Sequence, residues 1–279
     1  MFPKNKIDKI FFTAAVFLAL LTLLTNAYAH AEEKEFRLDE SIASASINYT
    51  LAASAIISIL VLISIFYKQK TEAMKWALFI LILIPIIFTT AYIAGSTIYL
   101  NLISETKGPV HWHADFEIWN CGKQVDVIDP TDLANRVGSP VLHEHGDNRI
   151  HIEGVVVKKS DFDLHSFFEQ IGSLTAIRAV VRTQHGFAEM KNGDLCNRKE
   201  GKLQVFLYRI INADETRKTG FVYEQVKLVD FEEYVISPYS LVPPGDCLII
   251  EFDGEKNETK KMCGTYENAI NKGDMRRAG

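Results

Sequence analysis

HWHADFEIWN (residues 111–120), VLHEH (141–145) and RIHIEG (149–154) decide how the carboxy-terminal part of this chain folds. In a strand, residues i and i+2 point to the same face of the sheet. His111, His113, Asp115 and Glu117 therefore share one face, and Trp112, Ala114, Phe116 and Ile118 share the other. His143 and His145 repeat the spacing, and His151 and Glu153 alternate with Ile150 and Ile152. The pattern predicts three short strands, each apolar on one side and bearing imidazoles and carboxylates on the other.

Five of the chain's eight histidines lie in this region: His111, His113, His143, His145 and His151. Histidine is the commonest metal ligand. Nitrogen donors with carboxylates nearby suit a first-row transition metal, with copper or zinc the expected cofactor. If the strands are antiparallel neighbours, the five converge on one metal site at which three or four of them ligate. Asp115, Glu117, Glu144, Asp147 and Glu153 are available as ligands or as acceptors for the second ring nitrogen. His165 and His185 stand alone and read as ordinary solvated or hydrogen-bonded residues.

Upstream of this region the chain is apolar. Residues 1–29 have the form of a secretory signal peptide or a first anchor helix: Lys4, Lys6 and Lys9, an apolar run from Ile10 to Leu24, then Ala27-Tyr28-Ala29. Residues 30–46 form an acidic segment. Ile47 to Tyr67 and Trp76 to Leu100 carry no charge and reach the roughly 20 residues a helical span needs. They predict a two-helix transmembrane hairpin over 47–103 with the lipid bilayer as partner. The basic loop between them, with Lys68, Lys70 and Lys75, belongs on the cytoplasmic side by the positive-inside rule. The expected localisation is therefore a multi-pass protein of the cell membrane with its carboxy-terminal domain outside. The spans contain no charge that would mark an ion path, so they read as anchors.

Residues 104–279 suffice for one domain. Strands are expected over 110–119, 124–128, 140–145, 149–157, 177–183, 203–212, 221–229 and 247–253. A helix begins at Ser160 or Asp161, carries Phe162, Leu164, Phe167, Phe168 and Ile171 on one face, and stops at Gly172. The segment 130–139 is a loop, and the tail after Tyr266 is polar and loose. The fold class is thus membrane-anchored α+β: transmembrane helices, then a mostly β extracytoplasmic domain with one or two helices.

All four cysteines, Cys121, Cys196, Cys247 and Cys263, fall in that domain. An even number suggests two disulfides. Three pairings are possible; Cys247 and Cys263 lie symmetrically about a turn near Glu255, so a hairpin could bring them together and leave Cys121 with Cys196. No C-x-x-C is present, so a zinc ribbon or thioredoxin-like redox motif is not supported.

The net charge of −5 averages over unlike parts, and no basic patch interleaved with aromatics points to nucleic acid. There is no G-x-S-x-G, P-loop or dinucleotide-binding glycine pattern. If the site is catalytic, metal-activated water is the natural chemistry, with Glu117 or Glu153 as general base. Nothing in the sequence marks an open coordination position, so binding is preferred to catalysis.

The set HWHA, H-x-H, I-H-I-E-G and DFDLHSFFEQIG resembles a group of uncharacterised membrane-anchored extracytoplasmic domains of archaea and bacteria. That resemblance covers roughly residues 108–172, more faintly the later strands to about 253, and implies no established activity. The later half resembles a β-grasp in outline. His111-x-His113-x-x-x-Glu117 is similar to half of the cupin metal motif, whose second half is missing. His143-Glu-His145-Gly-Asp-Asn148 is similar to the copper strand of copper–zinc superoxide dismutases, whose zinc loop is missing. These fragments imply, as an alternative, a metalloenzyme with a cupin-like or dismutase-like site. A structural or interaction module of the envelope that binds no metal is the third reading. Cleavage after Ala29 would make His30 the first residue, which resembles the mature amino terminus of periplasmic copper-binding proteins and copper-dependent polysaccharide monooxygenases.

Overall fold

The computed structural model describes residues 37–279 apart from 68, 132 and 214–219. The signal-like segment 1–29 and His30 lie outside the described residues. The chain divides into two compact units, residues 1–102 and 103–279.

In the first unit, α1 spans Leu38–Phe66 and α2 spans Glu72–Ile103. Both outrun their apolar stretches. Asp39 and Glu40 fall in the first turn of α1, where carboxylates complement the helix dipole, so the helix starts inside the acidic segment. Tyr49 packs edge-on against Phe88 and Tyr92, with ring centroids 5.4 and 4.8 Å apart. Most other apolar side chains, Leu51, Phe66, Phe79 and Ile84 among them, are exposed.

The multi-pass localisation expected from the sequence does not hold. Among the described residues only two helices are long and apolar enough to cross a membrane, and both are near the amino terminus. Length and composition permit membrane anchoring. They do not support a multi-pass arrangement or assign a side to the domain.

The second unit is built on a mixed sheet. Its strands are β1 (Pro109–Asn120), β2 (Lys123–Val125), β3 (Val137–Gly138), β4 (Leu142–Glu144), β5 (Arg149–Val155), β11 (Lys202–Ile210), β12 (Phe221–Leu228), β13 (Cys247–Asp253) and β14 (Met275–Arg277). Their order is β14-β12-β11-β13-β1-β5-β4-β3, with β2 paired to β1. The long strand β1 is central, parallel to β13 and antiparallel to β5. Between β5 and β11 lie an antiparallel sheet of β6 (Gly172–Thr175), β7 (Arg178–Thr183) and β8 (Gly186–Lys191), and a hairpin of β9 (Leu195–Cys196) and β10 (Lys199–Glu200).

One face of the main sheet carries the larger core. Ala114, Phe116 and Ile118 of β1 join Ile150, Ile152, Leu142, Val205, Leu207, Leu248 and Ile250. The helix α3 (Leu164–Ile171) packs there, burying Leu164, Phe167, Phe168 and Ile171. The rings of Phe116 and Phe167 are 5.0 Å apart. Each such fully buried side chain contributes about 1.5–3 kcal/mol. The N-cap is Asp163, whose Oδ1 accepts from the Ser166 N–H at 2.7 Å. Ser160 and Asp161, the caps expected from the sequence, sit in a preceding 3-10 turn, Lys159–Phe162. Gly172 ends the helix as expected, and a Cβ there would lie 1.9 Å from the Val180 carbonyl oxygen.

The other face is covered only in part. Phe206, Tyr208, Ile249, Tyr266, Ala269 and Met275 form a second core. It lies beneath α4 (Gly264–Asn271), and β14 adds to the sheet edge beside β12. The tail is therefore ordered, against expectation, because Tyr266 is buried and its hydroxyl donates to the Gly245 carbonyl at 2.7 Å. Two disulfides, Cys121–Cys196 and Cys247–Cys263, close loops of 75 and 16 residues. The second begins α4, since Cys263 is its N-cap. Cover on this face reaches Asp115, which bonds the Thr265 hydroxyl of α4 and the Arg149 guanidinium. His111, His113, His143, His151 and Glu153 stand on this same face, on β1, β4 and β5.

Candidate metal centre

Strand register assembles the site. His113 pairs with His151 across β1 and β5, and His151 pairs with His143 across β5 and β4. Three imidazoles thus form one row over three strands. His111 pairs with Glu153 in the next row. His145 follows directly after β4 and turns back onto the row, its ring 4.7 Å from that of His143 and 4.6 Å from that of His151. The turn at β3 needs glycine: Gly138 has φ +122°, and a Cβ would lie 2.6 Å from the Leu142 carbonyl oxygen.

The histidines form two overlapping sets. His143, His145, His151 and Glu153 each offer a donor atom within 4.8 Å of the others, and so do His111, His113 and His151. Either cluster could hold a metal ion.

Each imidazole has one nitrogen committed to an oxygen. His143 Nδ1 lies 3.1 Å from the Ser139 carbonyl, His113 Nδ1 lies 2.6 Å from the Ser240 carbonyl, and His145 Nδ1 meets the Asn135 carbonyl. His151 Nε2 lies 3.3 Å from Asp147 Oδ2. Carbonyl and carboxylate oxygens only accept, so each committed nitrogen carries the proton. In the neutral rings the other nitrogen then presents a bare lone pair. His151 Nδ1 is buried and has no hydrogen-bond partner among the described residues. His143 Nε2 and His145 Nε2 face each other at 3.2 Å.

Electrostatics favour neutral ligands. Burial pushes the His143 imidazole down to about 4, and repulsion from His145 adds to it, against the pull of Glu153. Burial also lowers His151, opposed by Asp147. Glu144 points away from this chemistry. Burial pushes its carboxyl up to about 7 despite the Gly146 N–H, which donates to Oε2 at 2.6 Å, and Oε1 is buried without a partner among the described residues.

The other candidates fall elsewhere. Glu117 accepts from Trp119 Nε1 at 2.9 Å and belongs to neither His set. Burial raises its carboxyl, partly offset by that bond. Asp115 is committed to Arg149 and Thr265 beneath α4. His165 hydrogen-bonds the Leu174 carbonyl, and His185 sits in the exposed β7–β8 turn. Glu153 is brought into the cluster, its Oε1 2.9 Å from His111 Nε2 and its Oε2 4.0 Å from His143 Nε2. Sequence reading could not find the carbonyls of Asn135, Ser139 and Ser240, because any residue supplies a carbonyl.

Comparison with known families, with curated proteins and with solved structures gives no match for this chain.

Proposed function

We propose that the carboxy-terminal domain binds a transition-metal ion, copper or zinc, through His143, His145, His151 and Glu153, and that the two apolar helices hold the protein to a lipid bilayer. The observation that carries the metal reading is the 3.2 Å contact between His143 Nε2 and His145 Nε2. Both δ nitrogens point to carbonyls, so in neutral rings the two ε nitrogens present their lone pairs to each other. A cation between them turns this repulsion into ligation. A tetrahedral ion about 2.0–2.1 Å from two nitrogens sets them about 3.4 Å apart, close to the spacing seen.

The donor set bears on the metal. All four cysteines are in disulfides, so no thiolate is available. Three imidazoles and a carboxylate suit zinc or divalent copper over soft monovalent copper. Four protein ligands also fill a tetrahedron, the arrangement of non-catalytic zinc sites. This favours binding over catalysis at this set. The apolar side chains exposed along α1 and α2 support the bilayer as their partner.

Metal analysis of the full-length protein, equilibrated with micromolar zinc or copper and then desalted, tests the reading. Wild type retains metal; His143→Ala/His145→Ala loses it, and His185→Ala retains it. Wild type that retains neither metal would refute it.

A further inference from the structure

Beyond the four-ligand set lies a second group of donors that the proposed ion leaves unused. His111 and His113 project from β1 beside it, their rings 4.5 Å apart. His113 gives its Nδ1 proton to Ser240, so its Nε2 is bare. His151 lies within reach of both groups, with donor atoms in each set inside 4.8 Å. Its one bare nitrogen can serve a single ion. Glu153 is different. Its two carboxylate oxygens lie near different imidazoles, Oε1 2.9 Å from His111 Nε2 and Oε2 4.0 Å from His143 Nε2. A carboxylate so placed between two imidazole groups suits a bridging ligand.

We infer that His111 and His113 bind a second divalent transition-metal ion, bridged to the first by the carboxylate of Glu153. This rests on the proposed metal site and extends it to a dinuclear centre. The two ions differ in access. His143 and His151 are buried, whereas the side chain of His111 is 61% exposed. The second ion has three protein donors and a solvent-facing side, so a water or a small anion completes its coordination. It is also the more weakly held of the two, because a partly exposed site with fewer protein ligands loses its ion first.

Cobalt(II) titration of the full-length protein tests the dinuclear centre, followed by visible absorption and by electron paramagnetic resonance. Wild type takes up two equivalents in two resolved steps, and the second step alters the resonance of the first ion by magnetic coupling. His111→Ala/His113→Ala takes up one equivalent, with the spectrum of the first step unchanged. Circular dichroism of the double variant checks that it folds as wild type does. Uptake of one equivalent by wild type, unaltered by the double substitution, would overturn the second site and leave the first standing. Two equivalents without magnetic coupling would overturn the bridge. No uptake at all would remove both proposals.

Discussion

His143 and His151 occupy paired positions on β4 and β5, and their rings lie parallel within 4°, with centroids 5.5 Å apart. Strand register sets this relationship. A slip of one residue on either strand would send one ring to the opposite face, into the core around Ile150 and Ile152. The apolar face and the imidazole face therefore specify each other, and the site needs no separate scaffold. His143 and His151 are each held by an acceptor, the Ser139 carbonyl and the Asp147 carboxylate.

That second acceptor can be removed by mutation. Asp147→Ala leaves His151 without the carboxylate that fixes its protonated nitrogen. Outer contacts of this kind are worth about 10–100-fold in metal affinity. The variant should bind zinc weaker by that order in a chelator competition, with an unchanged melting temperature of the metal-free protein. Unchanged affinity would show that Asp147 does not orient the ring.

Phe167 anchors α3 against Phe116 and is wholly buried. Phe167→Ala should cost about 3–5 kcal/mol of stability through lost burial and the cavity left behind. Urea denaturation measures it, and a loss under 1 kcal/mol would contradict the packing described.

The Cys247–Cys263 bond closes a loop of 16 residues and fixes the start of α4. Chain entropy alone makes such a bond worth about 3 kcal/mol. Cys247→Ser/Cys263→Ser should lose that order of stability and expose Tyr266 to solvent. Peptide mapping of the unreduced wild type should recover this pair together with Cys121–Cys196. Any other pairing would contradict the topology.

Asp246 is almost completely buried and accepts from the Tyr234 hydroxyl and the Ser237 N–H, each at 2.9 Å. Burial raises its carboxyl above the ordinary 3.8 in spite of those bonds. The folded state thus holds this proton more tightly than the unfolded state. The sign follows: this group favours folding most at low pH, and that advantage is lost as pH rises from 3.8 through the raised folded value. Asp246→Asn cannot ionise, so the stability difference, variant minus wild type, should increase with pH across that window. A difference that stays constant with pH would contradict the raised carboxyl.

Much of this was legible in the sequence, and the boundary is physical. Alternation in HWHADFEIWN and RIHIEG gave the faces of β1 and β5, because side-chain period is a local property. The same parity placed Asp115 and Glu117 with the histidines, yet they do other work. Which part of a sheet face a helix covers depends on α4, more than a hundred residues later. α4 itself was hidden: GTYENAIN shows little apolar periodicity, and its order comes from Tyr266 and the neighbouring disulfide. β14 was hidden for the same reason, since Met275 is held by pairing with Phe221. The α3 start was misplaced because Ser160, Asp161 and Asp163 all suit a cap, and only Asp163 has the Ser166 N–H in reach.

The central claim, a metal ion held by three imidazoles and a carboxylate, is tested most directly by X-ray absorption at the zinc edge of the zinc-loaded full-length protein. The predicted first shell contains only nitrogen and oxygen at about 2.0–2.1 Å, with outer-shell scattering from three imidazoles at the tightly bound ion. His143→Ala/His145→Ala should abolish that spectrum. A sulfur shell at about 2.3 Å, or an oxygen-only shell without imidazole scattering, would contradict the account.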